Sequence, residues 1–132
     1  MKRLKYAVIL LLGLSMVTTM TSCKKDNSQL IVGKWEVVHY INTDDADDSF
    51  DPSNIDPSMY GNYWEGAIWE FSSNGVVTIN GERHHYSTQG DVLTVDFIVN
   101  FEIYKLTNSS LIIWYYFNET KVLEYYELKK VG

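Results

Sequence analysis

The run Ile68-Trp69-Glu70-Phe71-Ser72-Ser73-Asn74-Gly75-Val76-Val77-Thr78-Ile79-Asn80-Gly81-Glu82-Arg83 decides the fold. Two short β-branched and aromatic segments flank Ser73-Asn74-Gly75, and Asn80-Gly81 closes the second. Asn and Gly tolerate the positive φ that tight hairpins demand, so the stretch reads as consecutive antiparallel strands. The same grammar continues outward. Gln89-Gly90-Asp91, Asn108-Ser109 and Asn118-Glu119 mark further turns, and the spacing predicts eight strands, near 30–41, 66–72, 75–80, 83–88, 91–97, 99–107, 110–117 and 120–130. No segment sustains 3.6-residue amphipathic spacing, so no long helix is expected. Pro52 and Pro57 both fall in the one long connection, 42–65, where they remove no ladder hydrogen bond. Short links between successive strands imply an all-β meander. Closure into an eight-stranded antiparallel up-and-down barrel would remove its exposed edges. A two-sheet β-sandwich is the alternative, because periodicity alone does not show whether the end strands pair.

Upstream of the strands, Lys2, Arg3 and Lys5 precede an apolar run from Tyr6 to Leu14, and small and hydroxylated residues follow. These are the three parts of a secretory signal peptide. The apolar run falls short of the ~20 residues that a spanning helix needs. The segment ends Met20-Thr21-Ser22-Cys23, which resembles the bacterial lipobox. That resemblance implies diacylglyceryl transfer to the Cys23 thiol and cleavage after Ser22, giving a signal peptide over 1–22. Two or three acyl chains exceed the limit of marginal single-chain binding, so such an anchor would be stable. Cys23 is the single cysteine of the chain, which excludes a fold stapled by disulfides. Lys24 stands where an aspartate retains lipoproteins in the inner membrane of some envelopes, so the outer membrane is the expected destination. The face of that membrane stays open.

Removing 22 residues from 132 leaves 110, one small domain. Three of the eleven basic residues and none of the seventeen acidic ones lie in the leader, so the formal charge moves from −6 to −9. This balance argues against nucleic acid and against electrostatic attraction to anionic lipid. Residues 23–29 read as a polar tether, and 30–132 as the folded domain.

At the start of the first strand stands Gly33-Lys34-Trp35. This resembles the G-x-W signature of the lipocalins, whose tryptophan closes one end of an eight-stranded barrel. The runs Trp69-Glu70-Phe71-Ser72-Ser73-Asn74-Gly75-Val76-Val77-Thr78 and Gly90-Asp91-Val92-Leu93-Thr94-Val95 are similar to a hairpin and a strand of small bacterial lipocalin-like domains. The resemblance spans about Leu30 to Val131. It implies a lipid-anchored, lipocalin-like envelope protein with a small apolar ligand in the barrel mouth. Two departures stand out: the family packs a late-strand arginine over the signature tryptophan, for which only Lys129 and Lys130 are available here, and the chain is shorter than a typical lipocalin, with no evident C-terminal helix.

Alternation places Ile31, Trp35, Val37 and His39 on one face of the first strand, Trp69 and Phe71 on one face of the second, and Leu93, Val95 and Phe97 on one face of the fifth. So many rings could fill a small barrel or line a pocket; both readings stay open. Residues 111–117 are apolar on both faces, which means either an external cover or a docking patch. Loop 42–65 carries Asp44, Asp45, Asp47, Asp48, Asp51 and Asp56, then Tyr60, Tyr63 and Trp64. In lipocalins this connection lies over the mouth. The aspartates lack the spacing and turn glycine of a calcium loop, so a solvated acidic loop is the expectation. The candidate ligand-binding set is therefore Trp35, His39, Trp69, Phe71, Tyr60, Tyr63 and Trp64.

No nucleophile elbow, P-loop or dinucleotide fingerprint occurs, and the lone cysteine is assigned to lipid. His84 and His85 are adjacent on a strand and point to opposite faces, and His39 has no acidic partner at metal spacing. No catalytic residue, metal or cofactor is expected. Three function classes remain: a tethered binder of a small apolar molecule; a filled barrel presenting 42–65 and 111–117 to an envelope protein or glycan; and, behind both, a hydrolase, which would need a carboxylate pair or a His–acid pair from different strands converging in a cleft.

Overall fold

The computed structural model describes residues 26–132; the proposed signal peptide, with Met20, Thr21, Ser22 and Cys23, lies outside the described residues. A helical turn, α1 (Asn27–Leu30), precedes eight strands: β1 (Gly33–Thr43), β2 (Ile68–Phe71), β3 (Val76–Ile79), β4 (Glu82–Gln89), β5 (Val92–Val95), β6 (Val99–Leu106), β7 (Ser110–Phe117) and β8 (Val122–Lys130). Each strand pairs antiparallel with the next, and β8 returns to β1, so the sheet is a closed barrel. Closure rules out the sandwich. No helix among the described residues is long and apolar enough to cross a membrane.

The turns do what their residues promised. Gly75 (φ 85°), Asn80 (φ 50°), Gly81 (φ 86°) and Gly90 (φ 57°) all adopt positive φ between strands. The fifth strand ends earlier than expected. Asp96 (φ 53°) and Phe97 (φ 66°) form the β5–β6 turn, so Phe97 leaves the inner face and stands 81 % exposed.

The interior is filled from the bottom. Trp35, Val37, Tyr40, Trp69, Phe71, Val77, Leu93, Phe101, Ile113, Tyr126 and Leu128 belong to one buried cluster. At the base the Trp35 indole N–H donates to the Ile31 carbonyl at 2.9 Å. The Lys130 ammonium sits 4.8 Å from the centre of the Trp35 ring and donates to the Val32 carbonyl at 2.8 Å. The base is thus a plug of ring, cation and α1. The tether expected through residue 29 stops earlier: from Asn27 the chain is docked, its side-chain amide donating to the Gly90 carbonyl at 2.9 Å.

A second apolar cluster lies on the outer wall, where Ile41, Ile112, Leu123 and Tyr125 meet Ala46 and, around them, Phe50, Ile55, Tyr60, Trp114 and Tyr116. Loop residues 46–60 therefore cover the outer face of β1, β7 and β8. This answers the two-faced pattern of 111–117: the strand is apolar outside because the acidic loop lies on it. Phe50 is the latch, its ring 5.3 Å from Trp114 and 5.8 Å from Tyr125. The loop's acids serve its own geometry. Asp47, Asp51 and Asp56 each accept the backbone N–H of the serine two residues on, at 3.0, 2.9 and 3.0 Å. These hydrogen bonds, from the side chain first at Asp47 and from the backbone first at Asp51 and Asp56, hold the carboxyls below their ordinary range.

Candidate functional site at the barrel mouth

The end of the barrel opposite Trp35 is not filled. A cup of about 260 Å³ opens there, lined by Asn42, Trp64, Ala67, Trp69, Ile79, Asn80, Glu124 and Tyr126. Its position follows from the register. Asn42 is next to last in β1, Ala67 precedes β2, Ile79 ends β3 with Asn80 in the turn after it, and Glu124 lies near the start of β8. A known apolar protein cavity of ~150 Å³ holds benzene, so this cup suits a small ring or short chain.

The floor is aromatic. Trp69 lies 5.1 Å from Tyr126 and 6.4 Å from Phe101, ring centre to ring centre. One wall carries a carboxylate. The Tyr126 hydroxyl donates to Glu124 Oε1 at 2.6 Å, and the Tyr115 hydroxyl donates to Glu124 Oε2. Burial first, and the Glu124 charge beside them, raise both phenols well above the usual tyrosine range, so they remain protonated donors. Glu124 is thereby clamped by two hydroxyls and aimed into the mouth. A carboxylate has about four acceptor positions, so two remain for a visitor.

Of the seven residues singled out in the sequence, Trp64 and Trp69 line the cup. Phe71 lies one level deeper, 6.2 Å from Trp69 and 5.0 Å from Tyr86. Trp35 is at the opposite end. His39 is a correction: the register of β1 against β8 shifts between Val37 and His39. This bulge reverses the alternation, turning Tyr40 inward (6 % exposed) and His39 out, where it stacks on Tyr60 at 4.4 Å. Tyr60 is thus on the outer wall too. Tyr63 is 79 % exposed, packs edge-on against Trp64 at 4.7 Å, and its N–H bonds the Tyr40 hydroxyl at 2.8 Å. The long loop therefore sends only its last residues to the mouth, and the rest runs down the wall.

Reading the sequence missed Glu124, Tyr126, Asn42, Asn80, Ala67 and Ile79. A signal for Glu124 existed: it shares parity with Tyr126 and Leu128, both inward. Around the rim stand further exposed apolar side chains, Phe97, Ile98 (76 %) and Phe117 (49 %). His84 and His85 diverge: His84 Nδ1 meets Asp96 Oδ2 at 2.6 Å, while His85 stacks on Phe97 at 5.4 Å. Asp96 also accepts the His85 backbone N–H at 3.1 Å, which fixes the β5–β6 turn. Its carboxyl is held below the ordinary range, chiefly by the His84 hydrogen bond. No group of three or more His, Cys, Asp or Glu suited to a metal occurs among the described residues. In comparison with known proteins, no family model, no curated protein and no solved structure matches this chain.

Proposed function

We propose that this chain is a lipid-anchored, lipocalin-like protein of the bacterial cell envelope whose barrel mouth holds a small, largely apolar molecule. The observation that carries the reading is the cup itself: about 260 Å³, framed by Trp64, Trp69 and Tyr126, in a barrel otherwise packed with rings. Such concave, mostly apolar sites with a few fixed polar groups are where small ligands bind. Support for the family likeness comes from Lys130, which lies over Trp35 where the resemblance expects an arginine. Support for the anchor is the Met20-Thr21-Ser22-Cys23 motif. Cys23 is four residues from Asn27, a reach of at most ~14 Å. A lipid on Cys23 would therefore hold the α1 end near the bilayer and turn the mouth away from it.

Metabolic labelling with an alkyne fatty acid, followed by intact-mass measurement, tests the anchor. The wild type should carry label and Cys23→Ala none; an unlabelled wild type sinks the anchor. Native mass spectrometry of the protein released from its membrane tests the pocket, with one small molecule per chain as the expected result. An empty spectrum, together with no binding across a panel of small aromatic and aliphatic compounds, neutral and charged, counts decisively against it.

The competing reading, a filled barrel presenting 42–65 and 111–117, loses part of its basis because the loop covers that strand's outer face. The loop itself and the exposed rim of Tyr63, Phe97, Ile98 and Phe117 are what it retains.

A further inference from the structure

A carboxylate in an apolar mouth sets conditions on what the mouth can take. Glu124 shares the cup with Trp64, Trp69 and Tyr126, and no lysine or arginine is among the lining residues. A bound fatty acid or other anion would place like charges together in a partly desolvated site, which is strongly unfavourable. A purely apolar guest would strip the remaining water from Glu124 and offer no charge in return, which is costly even with two hydroxyls on the carboxylate. A small cation meets neither penalty. Its charge pairs with Glu124, and its C–H or N–H surface faces the negative faces of the rings. The clamp adds to this: Tyr115 and Tyr126 fix the carboxylate before any ligand arrives, so little ordering remains to be done on binding. The chain's formal charge of −6 also favours cations over anions in its surroundings.

We propose that the cup is a site for a small organic cation, an aryl- or alkylammonium ion, with Glu124 as its counter-charge and Trp64, Trp69 and Tyr126 as its cage; this rests on reading the mouth as a ligand site. Asn42 and Asn80 also line the cup; the Asn80 amide oxygen accepts the Ile68 backbone N–H at 3.4 Å, which leaves the Asn42 amide as the nearer partner for a further polar group of such a guest.

Isosteric probes test it: 2-phenylethylammonium, 2-phenylethanol and phenylacetate, titrated calorimetrically into the whole protein in phosphatidylcholine nanodiscs, with empty discs as blank. The ammonium should bind at least about tenfold more tightly than the alcohol, given the strength of hydrogen bonds to charged groups. Phenylacetate should bind most weakly. Glu124→Gln should bring the ammonium to within about threefold of the alcohol while the alcohol's affinity holds. Glu127→Gln, an outward carboxylate of the same strand, should change neither. Equal binding of ammonium and alcohol, or an unchanged preference in Glu124→Gln, overturns the cation assignment and leaves the pocket standing. A methyl glucoside that outcompetes the ammonium also overturns it, in favour of a glycan. If none of the compounds binds, the pocket reading fails and the cation assignment with it. The wild-type panel decides even if Glu124→Gln does not fold.

Discussion

Gly33→Ala tests the plug at the base of the barrel. Gly33 has φ 138°, well outside the left-handed basin that other residues visit, and holding an alanine there costs about 1–3 kcal/mol. The added Cβ would also stand 2.4 Å from Lys130 Cε and 2.7 Å from its Nζ. The lysine end is flexible and would move, but moving forfeits two contacts. Its approach to Trp35 contributes about 0.5–1 kcal/mol at a partly exposed site. Its bond to the Val32 carbonyl contributes about 1.5 kcal/mol, as a charged donor. The total is about 3–5 kcal/mol, a large share of the ~5–15 kcal/mol that a domain holds. At ~4–8 °C per kcal/mol the melting temperature should fall by at least about 12 °C. Lys130→Met alone should cost about 2 kcal/mol, from the contacts just described, and close to nothing in the Gly33→Ala background. Circular-dichroism melts of the four proteins check this. A Gly33→Ala melt within about 3 °C of wild type, or a full Lys130→Met cost in both backgrounds, refutes the reasoning.

Two further outcomes concern the loop. Phe50→Ala should cost about 1.5–3 kcal/mol, below a fully buried phenylalanine because Phe50 is half-buried, and should open residues 44–59 to subtilisin; unchanged cleavage kinetics would mean that Phe50 is no latch. Acid should loosen the same segment. Asp47, Asp51 and Asp56 titrate lower in the folded loop than in the unfolded chain, so their contribution is complete above the ordinary value of ~3.9 and fades as pH drops through the depressed folded values. Pepsin cleavage between 44 and 59 should rise steeply below about pH 4, and Asp51→Asn with Asp56→Asn should flatten that rise; a pH-independent rate contradicts the assignment.

The barrel was legible because its turns carry chemistry. Gly75, Asn80-Gly81 and Gly90 announce positive φ in the residue types themselves. Closure was legible only as the consequence of an unbroken meander. The orientation of His39 was not legible. Alternation assumes two residues per repeat, and a bulge beside Val38 breaks that count without a glycine or proline to flag it. Phe97 misled for a related reason: Asp96 and Phe97 take positive φ, which their side chains do not advertise. The cup was visible in part. Trp64 and Trp69 stood out as aromatics, whereas Glu124 was passed over although its parity with Tyr126 and Leu128 points inward. Its place inside depends on the hydroxyls of Tyr115, one strand away, and Tyr126, and pairing across strands is what one sequence conceals.

The four tryptophans offer the most direct test of the mouth. In a ¹⁵N-labelled protein each indole N–H gives its own resonance: Trp64 and Trp69 at the cup, Trp35 at the base, Trp114 beneath the loop. Titration with 2-phenylethylammonium, and separately with 2-phenylethanol, should shift the Trp64 and Trp69 signals together and leave Trp35 and Trp114 in place. Shifts confined to Trp35 or Trp114, or no shift from either compound, would contradict a binding site in the barrel mouth.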